Sequence, residues 1–411
     1  MVKHFYPKKG WMNDPNGLIV IDGTYHMFFQ YYPGDIVWGP MHWGHAVSKN
    51  GIDWEELPVA IWPDENEYIF SGSAIYDRDN RSGLGTDEAP ALLCFYTGHN
   101  PKTKEQQQCL AYSTDFVRFV KYSQNPLITN RRELPGYRAD FRDPKVYWIP
   151  DMERYGMCLA GGEEICFYQS DNLLDWKFIG TLDILQGLGH GITECPDCFQ
   201  IGDKWFLSLS FIPHCDTTDE TTGFMDRHVM YYTPGHLDGG IFVPDDAGRW
   251  FPLDYGPDHY AAVTFADSPV PIMVGWGENW DYVTSLAAGQ HRGKMTGLRQ
   301  LDFVKKGESI RLRQIPLGPS EEIVLAAGTC TSLSKDGSVT VSVTDEEISV
   351  GRHLQAKCAE SEGGRLLELA GYQQFTAKRL NKGLCRLQYT EDDGYLEVFA
   401  EDGCICFSLN Y

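Results

Sequence analysis

Segments with the pattern of β-strands, separated by short turns rich in Asp and Gly, follow one another along the whole chain. Residues 18–21 and 24–30 form one such pair around Asp22-Gly23, and Gly202-Asp203 occupies the same position between two later segments. Two-residue turns of this kind join antiparallel strands into hairpins. No long stretch of the sequence has the periodicity of a helix. We therefore expect an all-β protein.

A weak repeat divides the first part of the chain. Ser48, Ser113 and Ser170 each end an apolar segment, and an aromatic residue follows each of them six positions later. The serines are 65 and then 57 residues apart, a period that suits four-stranded propeller blades with their loops. Polar and aromatic motifs recur at a similar interval near Asp14, Phe70, Asp143, Glu194 and Asp258. The spacing predicts a five-bladed β-propeller whose innermost strands direct these residues into one central funnel.

The character of the sequence changes after about residue 303. We expect the propeller to occupy residues 1–303, a connector to occupy 304–319, and a small antiparallel β-sandwich to occupy 320–411. Three Asp-Gly turns, which begin at residues 336, 393 and 402, support the last assignment. The sandwich is expected to support the propeller without contributing chemistry.

Composition narrows the classes of partner. The chain has 57 acidic and 35 basic residues, a formal charge of −22, which disfavours nucleic acid and anionic membranes and favours a small neutral substrate. The amino-terminal segment lacks the apolar region of a signal peptide, and no apolar run is long enough to span a bilayer. These features predict a cytoplasmic protein with its 12 cysteines reduced. The oligomeric state is left open, with a homodimer as one candidate.

Three short motifs each carry one candidate catalytic carboxyl group, and these groups are spread over 180 residues. Cleavage of a glycosidic bond needs two carboxyl groups in different environments, one anionic and one protonated. Asp14 lies in the turn-rich string from Trp11 to Gly17, just before the first expected strand. A plain turn explains such a string, but the same turn also holds a carboxylate rigidly, as a nucleophile requires.

The other two acids also allow structural and functional interpretations. Asp143 follows Arg142, so it either forms a surface ion pair or is kept ionised by Arg142 and binds sugar hydroxyls. Glu194 precedes Cys195 and Pro196, and a partly desolvated glutamate of this kind suits a general acid. Cys195 also begins a Cys-x-x-Cys motif. Zinc is disfavoured because no second such motif exists, and a redox pair because no βαβ pattern surrounds it.

Taken together, the motifs resemble glycoside hydrolase family 32, the β-fructofuranosidases that include invertases, inulinases and levanases. The matching strings run in the same order through the first 300 residues: 11–17, 28–31, 38–46, 70–73, 141–144, 194–197, 254–261 and 275–276. The resemblance implies a five-bladed propeller followed by a β-sandwich, which in this chain is shorter than usual. Tyr32, where the family commonly has Asn, and the altered segment 293–299 are departures that leave the choice of leaving group open.

The resemblance also implies roles for individual residues. Asp14 would be the nucleophile, Glu194 the acid/base, and Asp143 the transition-state stabiliser that binds fructose hydroxyls. The substrate-binding residues expected from it are Asn13, Gln30, Trp38, Trp43, Phe70, Ser71, Arg142, Cys195 and Asp258. No metal and no cofactor are expected.

The implied activity is retaining hydrolysis that releases terminal β-D-fructofuranosyl units from sucrose or short fructo-oligosaccharides. A fructosyltransferase would keep the same acids but pass the sugar to another sugar instead of water. A fructan-binding protein without turnover is the alternative from a different class, although three intact acids disfavour it. A related arabinan-cleaving propeller would lack the strings around Asp14 and Glu194.

Overall fold

The computed structural model describes residues 4–214, 228–286, 288–307, 309–357 and 368–411, with the backbone alone at 355–357 and 368–371. Nearly all of the regular structure is β, in five sheets that form the blades of a propeller and two that form a sandwich. The predicted fold class is therefore confirmed. None of the described helices is long and apolar enough to cross a membrane.

The first three blades follow one another along the chain. The first contains β1 (Gly10–Ile21), β2 (Thr24–Tyr32), β3 (His42–Ser48) and β4 (Trp54–Ile61). The second contains β5 (Tyr68–Asp77), β6 (Ala91–His99), β7 (Gln106–Ser113) and β8 (Val120–Lys121). The third contains β9 (Phe141–Ile149), β10 (Arg154–Gly161), β11 (Glu164–Ser170) and β12 (Lys177–Asp183).

The last two blades complete the propeller. The fourth contains β13 (Gly191–Ile201), β14 (Lys204–Pro213), β15 (Val229–Asp238), β16 (Ile241–Pro244) and β17 (Phe251–Pro252). The fifth contains β18 (Tyr260–Thr264) and β19 (Ile272–Trp276), and, after β20 (His291–Arg292) has joined the first blade, β21 (Arg299–Lys306) and β22 (Ser309–Pro316). Short helices occur at Leu185–Leu188, Pro150–Met152, Val283–Ser285 and Glu401–Gly403.

The first strand of each blade is the innermost. The five first strands β1, β5, β9, β13 and β18 contact one another in that order, and β18 contacts β1, so the ring is closed. β20 strengthens the closure because it pairs in parallel with β1 of the first blade. Residues near the starts of the first strands therefore meet at one end of the central channel.

The repeated serines mark equivalent positions in the blades. Ser48, Ser113 and Ser170 end β3, β7 and β11, which are the third strands of the first three blades. The hydroxyl of Ser48 accepts a bond from the amide of Gly51 at 2.9 Å, and that of Ser170 accepts one from Leu173 at 2.8 Å. The repeat thus comes from the turn that leads into the outermost strand of each blade.

Two boundaries differ from the sequence-based expectation. The string around Asp14 lies inside β1, whose pairing with β2 shifts register between Met12 and Pro15, instead of forming a turn before the first strand. Most of the expected connector 304–319 consists of β21 and β22, which pair along their whole length and complete the fifth blade. The outer strands of a blade are partly exposed and polar, so their sequence resembles that of a linker.

Two sheets form the carboxy-terminal sandwich. One contains β23 (Glu321–Leu325), β28 (Cys385–Asp392), β29 (Tyr395–Ala400) and β30 (Ile405–Asn410); the other contains β24 (Thr329–Ser332), β25 (Val339–Val343), β26 (Glu347–Lys357) and β27 (Glu368–Lys378). Alternate residues of β25 and β29, among them Val341 and Val398, share one hydrophobic cluster. The period of two places one face of each sheet in this core.

Two fully buried arginines join the sandwich to the propeller. Arg352 of β26 donates to Asp258 Oδ2 in the propeller at 2.9 Å. Arg299 of β21 lies 3.0 Å from Asp254 Oδ2 and 2.7 Å from Glu397 Oε1 of β29. A buried charge is tolerated only when it is paired, so these contacts make the two domains depend on each other.

We predict that Arg299→Met lowers the free energy of unfolding by about 3–5 kcal/mol, because it leaves the buried carboxylate of Asp254 without its cation and Glu397 with His4 alone. Differential scanning calorimetry should show a clearly lower melting temperature. Arg386→Met is the matched control, since Arg386 is 66% exposed and lies 3.5 Å from Glu322. Equal melting temperatures for the two variants would contradict the prediction.

Candidate active site

Three carboxyl groups from three innermost strands meet at one end of the channel. Asp14 lies on β1, Asp143 on β9 and Glu194 on β13. The thiol of Cys195 lies 3.7 Å from Asp14 Oδ2 and 3.6 Å from Asp143 Oδ2. The guanidinium of Arg142 lies 3.1 Å from Glu194 Oε1 and 3.9 Å from Asp143 Oδ2. The structure therefore brings together the three acids that the sequence singles out.

Asp14 is held at both oxygens. The amide of Asn13 donates to Oδ1 at 3.0 Å, and the hydroxyl of Ser71 on β5 donates to Oδ2 at 2.6 Å. Asn13 is itself oriented by a 2.8 Å bond from the indole of Trp11. Burial is the largest influence on Asp14 and raises the pKa of its carboxyl, the charge of Glu194 raises it further, and the two donors partly offset both.

Asp143 sits at an irregular point of β9, where its φ is +64°. Its amide donates to Thr97 Oγ1 at 2.9 Å, and its Oδ2 accepts the amide of Cys195 at 2.9 Å. Burial raises the pKa of Asp143 to about 7, and the charges of Asp14 and Glu194 act in the same direction. Arg142 lowers that pKa without outweighing burial, and the expectation that Arg142 keeps this carboxylate ionised stays a prediction.

Glu194 is held by two donors from neighbouring blades. Arg142 Nη2 donates to Oε1, and the hydroxyl of Tyr260 on β18 donates to Oε2. Arg142 also contacts Asp140 Oδ1 at 2.6 Å, so one cation lies between two carboxylates. Tyr260 is 1% exposed and was not among the predicted site residues. It lies two residues after Asp258 in the same motif, which was the only signal the sequence offered.

Two of the predicted binding residues are buried behind the first residues of β5. Gln30 is 2% exposed and donates to the carbonyl of Ile69 at 2.9 Å. Trp43 is fully buried, and its indole donates to the carbonyl of Phe70 at 3.0 Å. These side chains fix the position of the β5 backbone next to Ser71. The expectation that Trp43 binds sugar directly is corrected, because its only polar atom is engaged and its ring is fully buried. Sugar binding by Gln30 stays a prediction.

Two aromatic residues form part of the rim near Asp14. Trp38 is 44% exposed, and its ring meets the Phe70 ring edge to face at 6.2 Å. Phe70 in turn stacks on His99, with ring centroids 4.4 Å apart. Apolar faces of this kind are available to the C–H surfaces of a sugar.

Asp258 lies at the domain interface and not among the three acids. It is fully buried, its Oδ2 accepts the guanidinium of Arg352 at 2.9 Å and the amide of Asn410 at 2.7 Å, and its Oδ1 accepts the hydroxyl of Tyr282. All of its oxygens are thus engaged away from the channel. The predicted role of Asp258 in substrate binding is therefore corrected to a structural one.

The two thiols of the Cys-x-x-Cys motif lie in different parts of the core. Cys195 packs in a cluster with Trp11 and Phe199, whereas Cys198 packs in a different one with Tyr147 and Phe211. Both thiols are free. Within the part of the chain that the structure describes, no three His, Cys, Asp or Glu side chains are arranged to hold a metal ion.

Comparison with known proteins identifies the family. The family model described as "Glycosyl hydrolases family 32 N-terminal domain" matches residues 4–316, and its end coincides with the end of β22. The levanase of Bacillus subtilis (strain 168) is 38% identical over 335 residues, which are 78% of this chain and 47% of that protein. The chain thus spans about half the length of that relative.

Solved structures share the complete architecture. The exo-inulinase from Aspergillus awamori superposes with a TM-score of 0.82 at 27% identity, over 99% of this chain and 92% of that chain. The β-fructofuranosidase of Bombyx mori superposes with a TM-score of 0.73 at 28% identity, over 99% of this chain and 88% of that chain. On these grounds, and with its acids gathered at the end of a five-bladed propeller, the chain belongs to glycoside hydrolase family 32.

Proposed function

We propose that the chain is a β-fructofuranosidase that releases terminal fructose from sucrose and fructans by a retaining double displacement. The observation that carries the proposal is the meeting of Asp14 and Glu194 in unlike surroundings. Asp14 is fixed by neutral donors, whereas Glu194 lies between a cation and a phenol. The names of the relatives, a levanase and an exo-inulinase, support fructosides as the substrate class.

In the first step, Asp14 attacks the anomeric carbon of the fructosyl unit while Glu194 protonates the departing glycosidic oxygen. The sugar is then bonded covalently to Asp14. In the second step, Glu194 removes a proton from water, which attacks the same carbon and releases fructose with its original configuration. Asp143 binds fructose hydroxyls beside the reacting carbon. All three roles are played by side chains, and the reaction uses no metal or cofactor.

The proposal predicts that Asp14→Asn and Glu194→Gln each reduce kcat on sucrose by on the order of 10⁴-fold or more, because each step needs both groups. Both variants should keep the melting temperature within a few degrees of the unaltered protein. Asp171→Asn provides the same chemical change at a side chain that is 78% exposed, and it should leave kcat unchanged. Full activity in either active-site variant would refute the proposed roles.

Retention itself is tested by the product formed in aqueous methanol. Transfer of the fructosyl unit to methanol should give methyl β-D-fructofuranoside, which NMR distinguishes from the α anomer. The α anomer as the first product would indicate inversion and would exclude Asp14 as a nucleophile. Products longer than the donor at high sucrose concentration would instead identify a fructosyltransferase, and binding without any release would identify a fructan-binding protein.

The charges around the acids favour neutral substrates. Three carboxyl groups, from Asp140, Asp143 and Glu194, contact the guanidinium of Arg142, and the carboxyl of Asp14 lies close enough to Glu194 for their charges to interact. A phosphate group on the sugar would add negative charge to this region and would be repelled. We predict that kcat/KM for sucrose exceeds kcat/KM for sucrose 6-phosphate by about tenfold or more. A tenfold ratio corresponds to a difference of about 1.4 kcal/mol in the stabilisation of the transition state. Asp140→Asn should narrow the ratio, and a preference for the phosphate would contradict the prediction.

The raised pKa values predict how activity depends on pH. Burial raises the pKa of both Asp14 and Asp143, so these groups lose their charge at a higher pH than ordinary carboxylates do. The acidic limb of the kcat/KM profile should therefore lie clearly above pH 4, and it reports the interacting acids together. Arg142→Met should move the limb upward, because Arg142 lowers the pKa of Asp143.

The matched control for that variant is Arg138→Met. Arg138 lies in the preceding loop and pairs with Glu164 at 2.6 Å, away from the three acids. Its removal should leave the acidic limb in place. Two results would contradict the prediction: an acidic limb of the kcat/KM profile near pH 4, or an acidic limb at the same pH in the Arg142→Met variant and in the unaltered protein.

We also propose the cytoplasm as the compartment. Ten cysteines in the described part of the chain are free, eight of them buried, which a reducing compartment would preserve. Cell fractionation followed by immunodetection tests this proposal, and recovery of the protein from the medium would refute it.

A further inference from the structure

A buried ion pair joins three of the innermost strands close to the acids. Lys145 of β9 has its Nζ 3.0 Å from Asp197 Oδ1 of β13. The same Nζ donates to the carbonyl oxygen of Thr264 on β18 at 2.6 Å and lies 3.1 Å from its hydroxyl. The amide of Thr264 donates to Asp197 Oδ2. Lys145, Asp197 and Thr264 therefore form a triangle of contacts. Lys145 is 7% exposed and Asp197 is fully buried.

This triangle lies beside the catalytic groups. Lys145 and Thr264 line the same small cavity as Asp143, Cys195 and Ser71, and the cavity has a volume of about 20 Å³. Such a volume holds one water molecule at most. The triangle and Asp143 therefore lie at the same small cavity.

The three strands that meet in the triangle also supply three groups of the site. β9 supplies Asp143 two residues before Lys145, and β13 supplies Glu194 three residues before Asp197. β18 supplies Tyr260 four residues before Thr264. Each strand is thus fixed to its neighbours within four residues of the group that it brings to the site.

The backbone between the triangle and the acids is irregular. Asp143 has φ of +64° and Cys195 has φ of +44°, values that residues other than glycine rarely adopt. The register of β9 with β10 and that of β13 with β14 both shift at these positions. Such conformations persist only where the surrounding structure determines them. The ion pair joins the two strands next to their irregular residues, and bonds from Thr97 and Ser73 hold β9 in the same region.

We propose that Lys145 and Asp197 are positioning residues, whose ion pair holds β9 and β13 so that Asp143 and Glu194 keep their places in the reaction. The inference rests on the proposed function of the site. Without the pair, both irregular segments can relax. The 2.9 Å bond from the Cys195 amide to Asp143 and the 3.1 Å contact between Arg142 and Glu194 would then lengthen.

The test replaces both charges at once with Lys145→Met and Asp197→Leu. A single substitution would leave an unpaired charge in the interior and could prevent folding, whereas apolar side chains of similar size are tolerated. We expect a folded protein whose kcat on sucrose falls by about 100-fold, because a misplacement of about 1 Å has that effect, while KM changes little. The acidic limb of the kcat/KM profile should also move upward, since the Cys195 amide lowers the pKa of Asp143.

The control is another buried pair that lies outside the site. Arg379 and Glu401 are 2.9 Å apart, and their side chains are 1% and 2% exposed. The double variant Arg379→Met and Glu401→Leu should change the melting temperature but leave kcat and the pH profile of the folded protein unchanged.

Three outcomes separate the possibilities. The inference is supported if kcat falls strongly in the Lys145→Met and Asp197→Leu double variant but not in the Arg379→Met and Glu401→Leu control. If the unaltered protein releases fructose and that double variant keeps its kcat, the inference is overturned while the proposed function stands. If the unaltered protein releases no fructose from any fructoside, the proposed function is overturned, and this inference with it.

Discussion

The mutual repulsion of three carboxyl groups at one end of a narrow channel is the constraint on which the rest of the site depends. Burial and the neighbouring negative charges both raise the pKa of Asp143, and burial does the same for Asp14. A few donors offset this cost: a serine, an asparagine, one backbone amide and the guanidinium of Arg142. Since each acid has different donors, the same constraint also gives the acids different chemical characters.

A closed ring of strands is suited to this task because it brings distant residues together without flexible loops. Asp14, Asp143 and Glu194 lie on strands of different blades, and each strand is packed between two others. Regular strands alone would not direct these side chains inward. Register shifts near all three acids turn the backbone locally, and contacts between blades stabilise the turned conformation. The regular strands of the propeller therefore support the irregular segments on which the three acids lie.

The sequence predicted the fold and the three acids because both depend on local signals, namely strand periodicity, turn residues and short motifs. It failed where the outcome depends on a distant partner. Asp258 faces Arg352, which is 94 residues further along the chain, and Tyr260 was overlooked although it bonds to Glu194. The indole nitrogen of Trp43 and the amide nitrogen of Gln30, which were expected to face a sugar, bond instead to the backbone of β5. Whether a given side chain faces the central channel or the protein interior is decided by packing between segments that are far apart in the sequence.

The contacts of Asp258 give the sandwich a route to the active site. Arg352 holds the Asp258 carboxylate, and the hydroxyl of Tyr395 donates to its carbonyl at 2.6 Å. Two residues later, Tyr260 begins β18 and donates to Glu194. The start of this innermost strand is thus held on one side by the second domain and on the other by the acid. The second domain therefore contributes to the position of Glu194 without contributing a residue to the site.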